Sequence, residues 1–437
     1  MNEKRKSVTL FWFRRDLRLD DNAGLYHALK NHAGVLPLFI FDTTILGLLP
    51  KIDARVQFIH QTVADLKSQL NELGSDLRVE QGVPLDIFKK LNTEFNLEAI
   101  YANQDYEPQA QRRDDALQVW AQKNLIQFLL YKDQVIFEKK EIVTDMQRPY
   151  TVYTPYKKKW LAALSPFYLK SYPNKKYQQS YLKIKNPSSL ITLKQLGFSE
   201  SDHEIPSSKL SKAVLKNYAE QRDFPGIENA TSRLGIHLRF GTVSIRKLVR
   251  DCKDLSAVWL SELIWREFFM QIIWNFPHVS EGSFRPDYEK VAWRNDKAEF
   301  EKWKLGQTGY PMVDAGLREL NATGFMHNRA RMVTASFLTK HLLMHWSKGA
   351  DYFAEKLLDY DLAANNGNWQ WAAGTGCDAA PYFRIFNPTS QLERFDKNLD
   401  YIKKWVPEFG TEAYCKPMVE HTFARERALT EFKKALK

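Results

Sequence analysis

Cysteine is scarce in this 437-residue sequence: Cys252, Cys377 and Cys415 stand far apart, and none belongs to a C-x-x-C pair. That excludes a disulfide framework and a structural zinc site, and it points to a reducing compartment. No stretch approaches the roughly 20 consecutive apolar residues of a transmembrane helix. The N-terminus, MNEKRKSVTLFWFRRD, is basic, but its apolar run from Val8 to Phe13 is too short for a secretion signal, so a cytoplasmic protein is expected. After that run stands RRDLRLDDN rather than G-x-G-x-x-G, so the standard dinucleotide fingerprint is missing. Walker loops, nucleophile elbows and zinc-ligand spacings are missing as well, which removes metal ligation and phosphoryl transfer from the expected chemistry.

What is present is length, aromatic residues and positive charge. A chain of 437 residues exceeds what one hydrophobic core usually serves, so two domains are expected. Aromatics make up 13% of the chain, with 12 Trp and 27 Phe, and they are the compositional signal. Sixty-three Lys and Arg against 52 Asp and Glu leave a net charge of +11, which favours a polyanionic partner, nucleic acid first and a membrane surface second. Charge alone does not decide between them.

SVTLFWF (7–13) and GVLPLFIFD (34–42) are short runs of β-branched and aromatic residues, with a helical period between them from Ala23 to Lys30. DLRVE (76–80), LEAIYAN (97–103) and IQFLLY (126–131) follow at similar intervals, with a helical stretch over 54–73 among the connections. This predicts a doubly wound, mostly parallel, Rossmann-like α/β domain over 1–134 and a nucleotide-like ligand. From 135 to 206 the pattern gives way to YTPYKKKW, YPNKKYQQSY and KNPSSL, too long for an ordinary loop and read as an interdomain connection. Beyond it, over 207–437, run long helical periods: SIRKLVRDC, AVWLSELIWREFFMQIIWNF, PMVDAGLRELNATG, MHNRARMVTASFLTKHLLMHW and ADYFAEKLLDYDLAANN. The second domain is expected to be almost all α.

Several positions in these helices call for explanation. Glu262, Trp265, Arg266 and Phe269 fall at i, i+3, i+4 and i+7 and share one helical face. They read either as a carboxylate among aromatics or as a weak exposed Glu–Arg pair. Asn328, Arg331 and Met332 share a face, with Arg329 turned away; an asparagine inside a helix needs a partner for its amide, from neighbouring backbone or a ligand. Asp359 and Asp361 stand two residues apart, followed by Asn365, and if buried they require an arginine or a polar ligand. Trp369 and Trp371 point roughly 200° apart on a helix, so they serve different surfaces or are two unrelated core residues.

Together these segments resemble the DNA photolyase and cryptochrome family, most closely the bacterial class I cyclobutane pyrimidine dimer photolyases. The resemblance is carried between Tyr218 and Asp396 by YAEQRDFP, TSRL, ELIWREFF, QTGYPMVDAGLREL, MHNRARMVTASFL, DYDLAANNGNWQW and GTGCDAAPYFRIFNPT, and near the N-terminus by LFWFRRDLRLDDNAGL. It implies a deoxyribodipyrimidine photo-lyase that repairs pyrimidine dimers in DNA by electron transfer from photoexcited reduced FAD to a flipped-out dimer. The alternative on the same scaffold is a cryptochrome-like blue-light receptor without repair activity. Receptors usually carry a long signalling tail, whereas this sequence ends at Lys437, soon after the last matching segment, which favours the enzyme. A monomer that binds no membrane is expected.

The resemblance also assigns residues. FAD would be held in the helical domain by Tyr218, Thr231, Ser232 and Leu234 around its phosphates and ribityl chain. Gly235, where the family usually has serine, would offer a backbone amide to phosphate, and Arg233 and Tyr360 belong to the same cofactor site. Arg331, Asp359 and Asp361 would face the isoalloxazine and Asn365 its N5, while glycines 367, 374 and 376 would let backbone approach the flavin. Trp369, Trp346 and Trp293 would relay electrons from the surface, and Trp371 and Trp265 would flank the flipped dimer. Glu262 and Asn328 would hydrogen-bond the dimer bases, Glu262 as a protonated donor, with Met332 packed beside them. Arg222, Arg266, Arg329 and Arg384 would clasp phosphates, with Gln391 in the same DNA-contact set.

The MHNRARM segment favours cyclobutane dimers over (6-4) lesions. The antenna stays open between methenyltetrahydrofolate, a deazaflavin, a second flavin and none. Tyr106-Glu107 is followed by Pro108, Gln109 and Ala110 where folate binders place Asn-Glu, and Ser283 replaces a usual lysine, so both departures count against folate.

Overall fold

The structure, a computed structural model, describes residues 5–437. The chain forms two compact units. The first comprises residues up to 138 together with 163–208 and 234–251, and the second comprises 139–162, 209–233 and 252–437. The stretch 135–206, read from sequence as a connection, is therefore shared out between the two.

In the first unit, strands β1 (Ser7–Phe13), β2 (Val35–Asp42), β3 (Arg78–Gly82), β4 (Asn96–Asn103) and β5 (Gln127–Tyr131) form one sheet in the order β3-β2-β1-β4-β5. All four pairings are parallel. Alternate residues of β1 feed opposite faces: Phe11 and Phe13 enter one core, Leu10 and Trp12 the other. Burial on both faces is why these strands read as nearly continuous apolar runs.

RRDLRLDDN leads from β1 into helix Ala23–Asn31, which Asn22 caps by accepting from the Leu25 N–H. Where a dinucleotide binder has glycines, this chain builds a buried ionic lattice. Arg14 pairs with Asp114 at 2.7 Å and Arg18 with Asp133 at 2.6 Å. Arg246 reaches both Asp21 and Asp133 at 2.8 Å. Burial alone would raise the Asp133 carboxyl, but Arg18 and Arg246 hold it down at about 2. The same bonds explain why residues 234–251 pack with the sheet rather than with the helices that follow them.

The second unit is helical, as its periodicity predicts, with two departures. The period over 326–346 reads as one helix. The chain instead runs helix Asn328–Ser336 into a π-turn, Phe337–His341, and restarts as helix Trp346–Lys356. Leu343 takes φ 51° and His345 caps the restart by accepting from the Ser347 N–H, signals that apolar spacing does not carry. The period over 350–366 is likewise broken at Leu357, and Asp361 caps a new helix, Leu362–Ala373, by accepting from the Ala364 N–H at 3.2 Å. The crowded stretch Asn365–Gly376 thus begins within that helix and leaves it at Gly374, whose φ of +84° is the left-handed conformation that glycine adopts freely.

Candidate functional site

Helix Asn328–Ser336, helix Leu362–Ala373 and the loop between Leu357 and Asp361 enclose a cavity of about 110 Å³ in the second unit. Its lining includes Asn328, Arg331, Met332, Asp359, Asp361 and Asn365, along with Tyr360, Trp369 and Trp371. The i, i+3, i+4 spacing on the first helix puts the first three on one wall. Arg331 donates through Nη2 to Asp359 Oδ2 at 2.9 Å and through Nε to the Met326 carbonyl at 2.7 Å. The pairing compensates a carboxylate that would be costly to bury alone. Asp359 Oδ1 is buried with no partner among the described residues, so it is an acceptor lacking a donor. The Asn365 amide donates to the Ala350 carbonyl at 3.0 Å, which leaves its oxygen as the atom to present elsewhere. Asn328 is exposed at the first position of its helix, not buried within it, so its amide needs no backbone partner.

His327 caps that helix by accepting from the Arg329 N–H at 3.1 Å, while its Nε2 is buried without a partner. Burial, with Arg331 and Arg329 nearby, lowers its pKa from 6.5 to about 4. The unfolded chain therefore binds a proton that the folded chain refuses, and stability should fall as pH drops from about 6.5 towards 4. Urea midpoints between pH 7 and pH 4 measure this. In His327→Asn, which keeps a capping oxygen and cannot titrate, the slope should shrink, and an unchanged slope removes His327 as its source.

Trp371 lies between this cavity and a smaller crevice that it lines with Trp265, Phe269, Gly367 and Asp378. Gly367 serves packing rather than cofactor approach: a Cβ there would come within 2.1 Å of the Phe269 ring. On helix Ala257–Asn275, Glu262 pairs with Arg222 from a distant segment. Burial raises the Glu262 carboxyl and Arg222 pulls it back, with a net rise. Tyr218 is buried under the Arg222 guanidinium, which sits 5.3 Å from its ring centre. Ser232 Oγ accepts from Trp259 Nε1 at 3.4 Å, Thr231 is half-buried, and Arg233 lies 4.6 Å over the Phe325 ring. Leu234 and Gly235 belong to the first unit, where they open helix Gly235–Phe240.

Of the proposed phosphate contacts, Arg384 is exposed and Arg266 half-buried. Arg222 and Arg329 are engaged in this structure: Arg329 pairs with Asp223 at 2.8 Å and stacks 3.9 Å over Phe395. Gln391 is half-buried, with its side-chain oxygen unpartnered.

The three tryptophans expected to form a relay differ in depth. Trp369 and Trp346 are 2% and 3% exposed and share one core, whereas Trp293 is only half-buried. Sequence reasoning missed the residue between the outer two. His345 lies with its ring centre 5.4 Å from that of Trp293 and 5.4 Å from that of Trp346. It also missed Ser283 as more than an absent lysine: Ser283 Oγ accepts from Trp346 Nε1 at 3.4 Å.

The first unit has its own, larger cavity, about 430 Å³, at the carboxyl ends of β1 and β2, where parallel sheets bind ligands. Phe13, Phe39 and Phe41 line it with Arg14, Arg15 and Arg113. Glu107, on the same lining, is engaged by Arg15 and Arg239.

Comparison with known proteins identifies the family. Residues 9–176 match the DNA photolyase family, and residues 259–412 match the FAD binding domain of DNA photolyase. A deoxyribodipyrimidine photo-lyase of Synechococcus sp. is 35% identical, covering 96% of this chain and 95% of the relative. A bacterial class III photolyase from Agrobacterium tumefaciens superposes with TM-score 0.86 at 31% identity over 100% of this chain and 99% of its own. An archaeal photolyase from Sulfolobus tokodaii, solved with two FAD molecules, superposes with TM-score 0.84 at 31% identity over 98% of this chain and 100% of its own. A doubly wound parallel sheet, a helical FAD-binding domain and full-length relatives of this kind place the chain in the DNA photolyase family.

Proposed function

We propose that this protein is a light-driven lyase that splits cyclobutane pyrimidine dimers in DNA. The observation that carries the reading is one cavity lined by Asn328 and Met332 from one helix and by Asn365 and Trp371 from another, beside the Arg331–Asp359 pair. The unpartnered Asp359 Oδ1 is an acceptor suited to the imide N–H of a flavin, and the Asn365 oxygen suits a ring nitrogen. Bound FAD would supply the photoexcited electron that starts dimer cleavage.

The chain's residues do the rest. Trp371 and Trp265 offer apolar faces to bases that have left the duplex stack. Asn328, exposed at the rim, offers an amide to their edges, and Met332 fills the space beside it. The positive charge excess draws the DNA backbone, with Arg384 free to meet phosphate. The deciding experiment is dimer content in damaged DNA after incubation with purified, chemically reduced protein, in blue light and in darkness. Equal dimer content under both conditions would overturn the proposal and leave the blue-light receptor.

Glu262 carries a second expectation. Its carboxyl is raised by burial yet faces Arg222, so substrate entry would divide the pair, with Arg222 turning to phosphate and Glu262 to a base carbonyl. A donor aimed at the charge developing on the dimer acts only after electron transfer. Glu262→Ala should therefore lower repair yield per photon severalfold at saturating dimer while FAD content stays near wild type. A wild-type yield would confine Glu262 to its ion pair.

A further inference from the structure

Tyr153, the first residue of helix Tyr153–Ala163, lies in the segment that sequence reading treated only as a connection. Its ring stacks on Trp265 with centroids 3.5 Å apart and planes 8° apart, the closest ring pair around the crevice. Tyr153 does not itself line the crevice that Trp265 shares with Trp371, so it backs the indole from outside that crevice, while Phe269, which does line it, meets the same indole at 5.4 Å and 28°. Its position is fixed three ways. The phenol donates to the Ser261 carbonyl at 2.8 Å and meets Ser261 Oγ at 2.5 Å. Its backbone N–H donates to Asp378 Oδ2 at 3.0 Å, and Asp378 belongs to the crevice lining. Lys157, one turn on, donates to the same Ser261 Oγ at 3.1 Å.

We infer that Tyr153 is a positioning residue for the flipped dimer: through its ring face it locks the plane of Trp265, so that one wall of the lesion site is a preformed two-ring stack, with the Tyr153 backbone held by Asp378. This rests on the proposed role of Trp265 as a wall of that site. A tryptophan free to rotate must be ordered when the bases arrive, whereas a stacked one is ordered beforehand, and the difference falls on affinity. The connecting segment is thereby part of substrate recognition.

The test uses the purified holoenzyme in darkness and measures Kd for dimer-containing and undamaged duplexes. Tyr153→Leu should weaken dimer binding about tenfold, the size of one lost aromatic contact. Undamaged DNA should bind within about twofold of wild type, since backbone attraction is untouched. Tyr153→Phe, which keeps the stacked face, should bind dimer within about twofold of wild type. The near-ultraviolet circular dichroism difference between wild type and Trp265→Phe should shrink in the Tyr153→Leu background.

Wild-type dimer binding by Trp265→Ala would overturn the role of Trp265 and this inference with it. Weakened binding by Trp265→Ala beside wild-type binding by Tyr153→Leu would overturn the inference alone. Equal losses in Tyr153→Phe and Tyr153→Leu would assign the effect to the hydroxyl and overturn the stack. If Tyr153→Leu purifies without FAD, Tyr153→Met replaces it, and an unchanged Kd in that variant overturns the inference.

Discussion

Gly349→Ala should cost at least about 3 kcal/mol of stability and strip the protein of much of its FAD. The added methyl would sit 2.1 Å from Cη2 and 2.5 Å from Cζ3 of Trp369, and 2.6 Å from Leu338 Cδ2. The indole has nowhere to go. It is 2% exposed and boxed by Phe353 at 4.9 Å and Trp303 at 6.2 Å between ring centres. Relief requires helix Trp346–Lys356 to move away from helix Leu362–Ala373, which pulls the Ala350 carbonyl from the Asn365 amide and opens the cavity. Urea midpoint and flavin-to-protein absorbance ratio read the two consequences. Gly282→Ala is the control, because its methyl would meet only Glu289 Oε1 at 3.7 Å. A wild-type midpoint and full FAD in Gly349→Ala would mean that the helices are not closely packed there.

The cause of this sensitivity was half legible in the sequence. Trp369 and Trp371 stand two residues apart, and helical geometry alone sends them to different surfaces. Trp369 does enter the core and Trp371 alone reaches the crevice, yet both also line the cavity of about 110 Å³, so the separation is only partial. The partner that makes Gly349 indispensable lies twenty positions later in sequence, and no local pattern reports it. The strands were legible for a similar reason. β-branched and aromatic runs buried on both faces leave a local mark, and all five appear within a residue or two of their expected bounds.

Interruptions were harder to read. Apolar spacing continues through Leu343 and Leu357, where the backbone turns, because residues at those turns are as buried as residues in the helices. Long-range pairs left no trace. Arg222 and Glu262 looked like a phosphate contact and a base contact, and each is the other's partner here. Tyr153 looked like part of a tether, and it backs Trp265. His345, which the sequence did not single out, joins the two outer tryptophans. Each of these contacts depends on tertiary packing that places distant segments together.

Trp293→Phe should slow blue-light photoreduction of the bound FAD at least tenfold, since a phenyl ring is far harder to oxidise than an indole, while repair by chemically reduced protein persists. Three features support an outward path. Trp369 lines the cavity proposed to hold FAD, Trp346 lies in the same core, and Trp293 stands half-buried, joined to Trp346 through the His345 ring. The substitution is unusually clean. Trp293 Nε1 has no hydrogen-bond partner among the described residues, so phenylalanine forfeits none. Its edge contacts with Phe432 and His345, at 5.6 and 5.4 Å, are ones that a phenyl ring keeps in part. Bleaching of oxidised-flavin absorbance in blue light with a soluble thiol measures the first quantity, and dimer content after dithionite reduction and illumination measures the second. Wild-type bleaching would remove Trp293 from the relay and direct attention to another exit from Trp346. Loss of both activities would instead assign Trp293 to the packing of helix His421–Ala435, where Phe432 resides, rather than to electron transfer.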